Sequence, residues 1–150
     1  MKKIIILLTF LLTASISSYG QIFKPVKWTT SVKKVSAGTY NLIATATIDA
    51  GWHLYSQTVP KGGPIPTAFV FKENDNYSLR GKTIEGKGHT VDDPVFNMEI
   101  TFFEDKAIFT QPIKLNAKGK TKIIGEVEFM VCDDTKCLPP DYVDLEFTIE

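Results

Sequence analysis

Two cysteines, Cys132 and Cys137, are separated by four polar residues in the stretch Phe129-Met130-Val131-Cys132-Asp133-Asp134-Thr135-Lys136-Cys137-Leu138-Pro139-Pro140. A pair this close can form a short disulfide, exchange that disulfide with a partner's thiols, or give two thiolates to a metal. On the chain-entropy view a disulfide stabilises more when it closes a longer loop, so this one gains little as a staple. A chain of 150 residues also has enough length for a core that does not depend on one. Thiol–disulfide exchange is therefore the chemistry that the spacing invites. Local charge divides the two sulfurs. Asp133 and Asp134 disfavour a neighbouring thiolate, whereas Lys136 favours one at Cys137, which makes Cys137 the better nucleophile of a reduced pair.

The other chemistries have weaker support. A structural zinc site shows two closely spaced ligand pairs. His53 and His89 are far apart and form no such pair, so both are read as exposed strand or loop residues and no metal is expected. A copper site built from both thiolates and His53 is the alternative to that reading. No phosphate-binding loop and no serine–histidine–acid motif is present, and no organic cofactor is implied. The 17 basic and 17 acidic residues balance to a formal net charge of zero, which is no footprint for nucleic acid. Large aromatics such as Phe102 and Phe103 are read as core.

The elements that must position the pair are strands. Val26, Trp28, Thr30 and Val32 alternate with polar residues, and so do Tyr40, Leu42, Ala44, Ala46 and Ile48. The same period of two runs through Phe69 and Phe71, through Phe96, Met98, Ile100 and Phe102, and through Ile123, Val127, Phe129 and Val131. A last run is Val143, Leu145, Phe147 and Ile149. Such alternation marks half-buried strands, and glycine-, proline- and asparagine-rich segments between them mark turns. Seven or more strands of this kind predict an all-β, immunoglobulin-like sandwich of two antiparallel sheets, with a closed barrel as the competing architecture.

Within that frame, a strand ending at Cys132 and a return from Cys137 make a hairpin. Directly opposed residues lie about 4.5–5.5 Å apart at Cα, inside the roughly 4.4–6.8 Å that a disulfide spans. Pro139 and Pro140 cannot donate to a ladder, which leaves the hairpin at a sheet edge that a partner can reach. Cys132 shares its parity with Glu126, Glu128 and Met130, so the pair is expected to point away from the core.

Met1-Lys2-Lys3, the apolar run Ile4 to Leu12 and the small residues up to Ser18-Tyr19-Gly20 read as a secretory signal peptide over residues 1–20. An uncleaved anchor is the alternative, and the apolar run is short for one. Residues 21–150 are expected to form one domain, periplasmic or secreted, with no membrane span of its own. That destination is oxidising, so the two cysteines are expected to be bridged.

The segments Gly51-Trp52-His53-Leu54-Tyr55, Pro66-Thr67-Ala68-Phe69-Val70-Phe71 and Cys132-x4-Cys137-Leu138-Pro139-Pro140 together resemble the N-terminal periplasmic domain of the DsbD disulfide-interchange family. The resemblance implies an immunoglobulin-like sandwich that takes electrons from a membrane-embedded donor and passes them to periplasmic thioredoxin-fold proteins by thiol–disulfide exchange. It implies that the second cysteine, here Cys137, forms the mixed disulfide, and that Tyr55 lies beside the pair. It also implies a mobile cap loop with an acidic pair and an aromatic shield, matched by Asp92, Asp93 and Phe96; an ordinary turn leading into the next strand is the alternative there. Two features depart from the family: the four-residue spacing, where relatives can have one more, and the absence of a transmembrane or thioredoxin module, which implies a separate membrane-embedded donor. A non-catalytic sandwich with a structural bridge, binding another envelope protein through a sheet edge, is the rival reading.

Overall fold

The computed structural model describes residues 23–93 and 96–150. The signal peptide read at residues 1–20 lies outside them, as do Pro94 and Val95 of the acidic–aromatic segment. The described elements are strands β1 (Val26–Ser36), β2 (Thr39–Ile48), β3 (His53–Tyr55), β4 (Ala68–Phe71), β5 (Tyr77–Leu79), β6 (Ile84–Glu85), β7 (His89–Asp93), β8 (Met98–Phe103), β9 (Lys106–Leu115), β10 (Thr121–Phe129), β11 (Val131–Cys132) and β12 (Asp141–Ile149). Every strand pairing is antiparallel, and no helix occurs among the described residues. The all-β, immunoglobulin-like sandwich expected from the alternation is the fold of the protein.

Inward residues of two ladders form the main core. One ladder has the order β1-β2-β9-β5, with β6 also on β9, and the other has the order β12-β10-β4. From the first come Leu42, Ala44, Ala46, Phe109 and Ile113, and from the second Ile123, Val127, Phe129, Leu145 and Phe147, all buried. The parity read in the sequence places each of these except Phe109 and Ile113, which belong to β9. Trp28 stands at the centre of the aromatic packing, with ring centroids 5.9 Å from Phe69, 5.7 Å from Phe109 and 5.4 Å from Phe129. Burying each such side chain contributes about 1.5–3 kcal/mol.

β9 is a central strand that the alternation did not reveal, because Gln111-Pro112 interrupts it. Proline is normally excluded from a central strand. Here the ladder closes around it: the Pro112 carbonyl accepts from Arg80 N at 2.9 Å. The Gln111 amide, buried inside the sandwich, donates to the carbonyls of Gly81 (3.3 Å) and Pro112 (2.9 Å) and accepts from Thr83 Oγ1 (2.8 Å). A buried amide with three partners is tolerated where an unpaired one is not.

A third ladder, β11-β3-β8-β7, carries the cysteines. After Phe129 the chain leaves β12 and β4, and from Val131 it pairs with β3, with Val131 opposite Leu54 and Cys132 opposite His53. The pairing thus divides into three ladders, since one continuous run, Ile123 to Cys132, changes partners at Met130. Leu54, Phe103 and Val131 face the main core on one side of this third ladder. On its other side Tyr55, Ile100, Phe102 and Cys132 form a second buried cluster, with Val59, Phe96, Met98 and Met130 packed against it. Gly88 precedes β7 where a Cβ would lie 2.7 Å from the Phe102 carbonyl oxygen, so only glycine lets β7 close against β8 there.

Candidate redox site

Cys132 and Cys137 are bonded, with Cα atoms 3.9 Å apart, and they pair as an isolated antiparallel bridge. That separation is shorter than the opposed-strand spacing expected from the sequence. The loop between them closes tightly, with Asp133 N donating to the Lys136 carbonyl at 2.9 Å and Leu138 N to the Val131 carbonyl at 2.9 Å. Asp133 Oδ1 accepts from Thr135 N (2.8 Å), Thr135 Oγ1 (2.7 Å) and Lys136 N (2.8 Å). The Thr135 hydroxyl, then the Thr135 backbone amide, hold the Asp133 carboxyl below its ordinary value. Its charge is therefore kept beside the sulfurs.

The two sulfurs have different surroundings. Cys137 is exposed, whereas Cys132 is only 4% exposed. The parity expectation is half right and needs correcting in its consequence. Cys132 does turn away from the main core with Met130, but it enters the second cluster and not solvent. The reachable part of the bridge is Cys137. β11 lies at the end of its ladder, and Leu138 packs back on the main core.

Residues of one face of the third ladder line a cleft of about 500 Å³. β3 contributes His53 and Tyr55, β8 contributes Phe102, and β7 contributes Val91 and Asp93; Phe96, both cysteines and the Asp133–Lys136 loop complete the wall. These strand positions share a face because side chains alternate along each strand. Tyr55 is 3% exposed, and burial, with the Asp93 charge second, pushes its phenol up to about 12. It remains protonated and can only donate or accept a hydrogen bond near the sulfurs at ordinary pH.

The acidic–aromatic segment is divided by the same alternation. Asp92 and Asp93 are the last residues of β7, opposite Glu99 and Met98, and so belong to a paired strand and not to a free loop. Asp93 is on the cleft side and its Oδ1 accepts from Phe96 N at 3.0 Å. Asp92 is exposed and is not part of the cleft wall, since one step along a strand reverses the side chain. Phe96 is half-buried against the second cluster and lines the cleft. Lys136 lies at the cleft and also places Nζ 5.9 Å from the Trp52 ring centroid, a position that fixes its cation at one side of the cysteine loop.

His53, read from the sequence as an exposed strand or loop residue, is a half-buried neighbour of the pair. Its ring stacks on Phe102 with centroids 4.2 Å apart and interplanar angle 28°, and Nε2 is 3.1 Å from Glu104 Oε1. His89 Nε2 is 4.0 Å from the other Glu104 oxygen. The two histidines, distant in sequence, meet at one carboxylate because β3 and β7 flank β8. The signal for His53 was available: in Trp52-His53-Leu54-Tyr55 the alternation puts His53 on the face of Tyr55. No group of three or more metal-ligating side chains occurs among the described residues.

A family described as "Thiol:disulfide interchange protein DsbD, N-terminal" matches residues 23–148. The chain belongs to the DsbD N-terminal domain family. Several solved structures share its fold. The DsbD N-terminal domain of Neisseria meningitidis in its reduced form is 21% identical with a TM-score of 0.53, covering 89% of this chain and 93% of that one. The DsbD N-terminal domain in the complex with the PilB N-terminal domain, also from Neisseria meningitidis, is 19% identical with a TM-score of 0.54, covering 86% and 88%. The N-terminal periplasmic domain of ScsB from Proteus mirabilis is 15% identical with a TM-score of 0.53, covering 83% of this chain and 44% of that one. No curated protein sequence matches the chain.

Proposed function

We propose that this domain is a periplasmic thiol–disulfide interchange module, a protein-disulfide oxidoreductase in type. In this reading it passes reducing equivalents from a separate membrane-embedded donor to thioredoxin-fold proteins through Cys132 and Cys137. One observation carries it: the bridge has one sulfur open to a partner and the other held in an apolar cluster at the end of the same cleft. An incoming thiolate attacks Cys137 Sγ, the bond to Cys132 breaks, and the electron pair leaves on Cys132 Sγ. The partner's second thiolate then attacks its own sulfur in that mixed disulfide, leaving the pair reduced and the partner oxidised. In the opposite half the Cys137 thiolate attacks a partner's disulfide, and the Cys132 thiolate then attacks Cys137 Sγ, reforming the bridge and releasing the partner reduced.

Membership of the DsbD N-terminal family supports the chemistry, and the ScsB relative, described as a periplasmic domain, supports the location. The complex of a DsbD N-terminal domain with a PilB domain supports docking of a second protein as the way such a domain works. Phe96 acts in this scheme as a shield over the reduced pair, and Asp93 anchors it through the Phe96 amide. Lys136 favours thiolate character at Cys137, and no metal or organic cofactor takes part.

The reduction potential of the pair tests the proposal. A redox-active pair equilibrates with glutathione or thioredoxin-type couples, whereas a value below about −300 mV marks an inert structural bridge and would leave the protein-binding rival as the better account.

A further inference from the structure

The same site holds a group for which the exchange scheme above has no use. When Cys137 is attacked, the leaving sulfur is Cys132, 4% exposed among Tyr55, Ile100 and Phe102. A thiolate released into apolar surroundings is disfavoured, so the step proceeds most readily if the sulfur receives a proton or a positive neighbour. His53 is the residue directly opposite Cys132 in the β11–β3 register, and opposed residues have Cβ atoms about 4.5–5.5 Å apart on one face. Its ring is fixed on both counts that matter, by stacking on Phe102 and by the Nε2 contact to Glu104. A carboxylate on one imidazole nitrogen sets the tautomer and leaves Nδ1 for another partner. The other ionisable groups around this imidazole are Tyr55 of β3, His89 and Asp93 of β7, and Asp133, Asp134 and Lys136 of the cysteine loop. Of the cleft-lining groups, imidazole is the type that ordinarily changes charge between about pH 5 and 8.

We infer that His53, oriented by Glu104, is the proton donor and acceptor for Cys132 in the exchange reaction, an inference that rests on the redox reading of the pair. In the forward step the partner's sulfur bonds to Cys137 Sγ, the disulfide breaks, and Cys132 Sγ takes the electron pair and then the imidazolium proton. The products are a neutral Cys132 thiol and a neutral His53. In the opposite half-reaction, where the Cys137 thiolate has attacked a partner's disulfide, neutral His53 takes the Cys132 proton. The Cys132 thiolate then attacks Cys137 Sγ, reforming the bridge and releasing the partner's sulfur as a thiolate.

The test is reduction of the oxidised protein by dithiothreitol from about pH 5 to about pH 9, comparing wild type with His53→Gln and Glu104→Gln. The ratio of variant to wild-type rate at each pH removes the reagent's own titration. His53→Gln is expected to be at least about tenfold slower at the acidic end, at the low edge of general acid catalysis, with the ratio approaching one at the alkaline end, where imidazole is neutral. Glu104→Gln, which leaves the imidazole in place but removes the carboxylate that orients it, is expected to lose part of the acid-side rate and to lie between wild type and His53→Gln. A ratio for His53→Gln that is constant with pH, or equal to one throughout, overturns the inference and leaves the redox reading standing. A wild-type bridge that resists reduction at every pH overturns both.

Discussion

The unequal surroundings of the two sulfurs lead to a quantitative expectation for the single-cysteine variants. In Cys132→Ala the remaining thiol is Cys137, which is exposed. In Cys137→Ala it is Cys132, 4% exposed within the cluster against which Phe96 and Met130 pack. For Cys132 to attack a bulky disulfide reagent, at least one large apolar side chain of that cluster must move into water. Exposing one large apolar side chain costs about 1.5–3 kcal/mol, which is about 10- to 150-fold in rate. Apolar surroundings also disfavour a thiolate, so this range is a lower bound. The assay is the native reaction rate of each variant with a chromogenic aromatic disulfide, repeated in denaturant to remove the effect of structure. Native Cys132→Ala should react at least about tenfold faster than native Cys137→Ala, with the two rates converging on unfolding. Equal native rates, or a faster Cys132, would show that burial does not control which sulfur is attacked.

Two further expectations concern the walls of the cleft. Phe96→Ala should raise the alkylation rate of the reduced wild-type pair several-fold, because it uncovers about one aromatic side chain of the second cluster; an unchanged rate would remove Phe96 from the shielding role. Tyr55 has a phenol raised from 10.0 to about 12 by burial and then by the Asp93 charge. Its folded-state pKa is above the unfolded one, so the stability it contributes is complete below about pH 10 and is lost as pH rises toward about 12. Tyr55→Phe should therefore show a shallower fall in melting temperature across that window than wild type; parallel curves would contradict the assignment.

The sulfur pair and its hairpin, the edge position of β11 and most inward residues of the sandwich were legible in the sequence. Each depends on local rules: the period of two, the inability of proline to donate, and the short reach of a four-residue loop. β9 was hidden because Gln111-Pro112 breaks the alternation, and only partners from Arg80, Gly81 and Thr83, between β5 and β6, make that break tolerable. The acidic pair was legible as a motif but not as geometry. Asp92 and Asp93 are adjacent in sequence, yet pairing of β7 with β8 sends one carboxylate to the cleft and the other to solvent.

The sequence by itself determined that the chain is β throughout and that Cys132 and Cys137 are bridged across a short loop with Cys132 turned from the main core. The tertiary structure decided what lies on that other side. A residue turned from one core enters solvent or a second cluster according to what the neighbouring strands bring to the same face. Here β3 brings His53 and Tyr55, and β8 brings Ile100 and Phe102. Parity is a property of one strand, whereas burial is a property of the strands beside it, and for this reason the unequal exposure of the two sulfurs emerges only from the folded sheet.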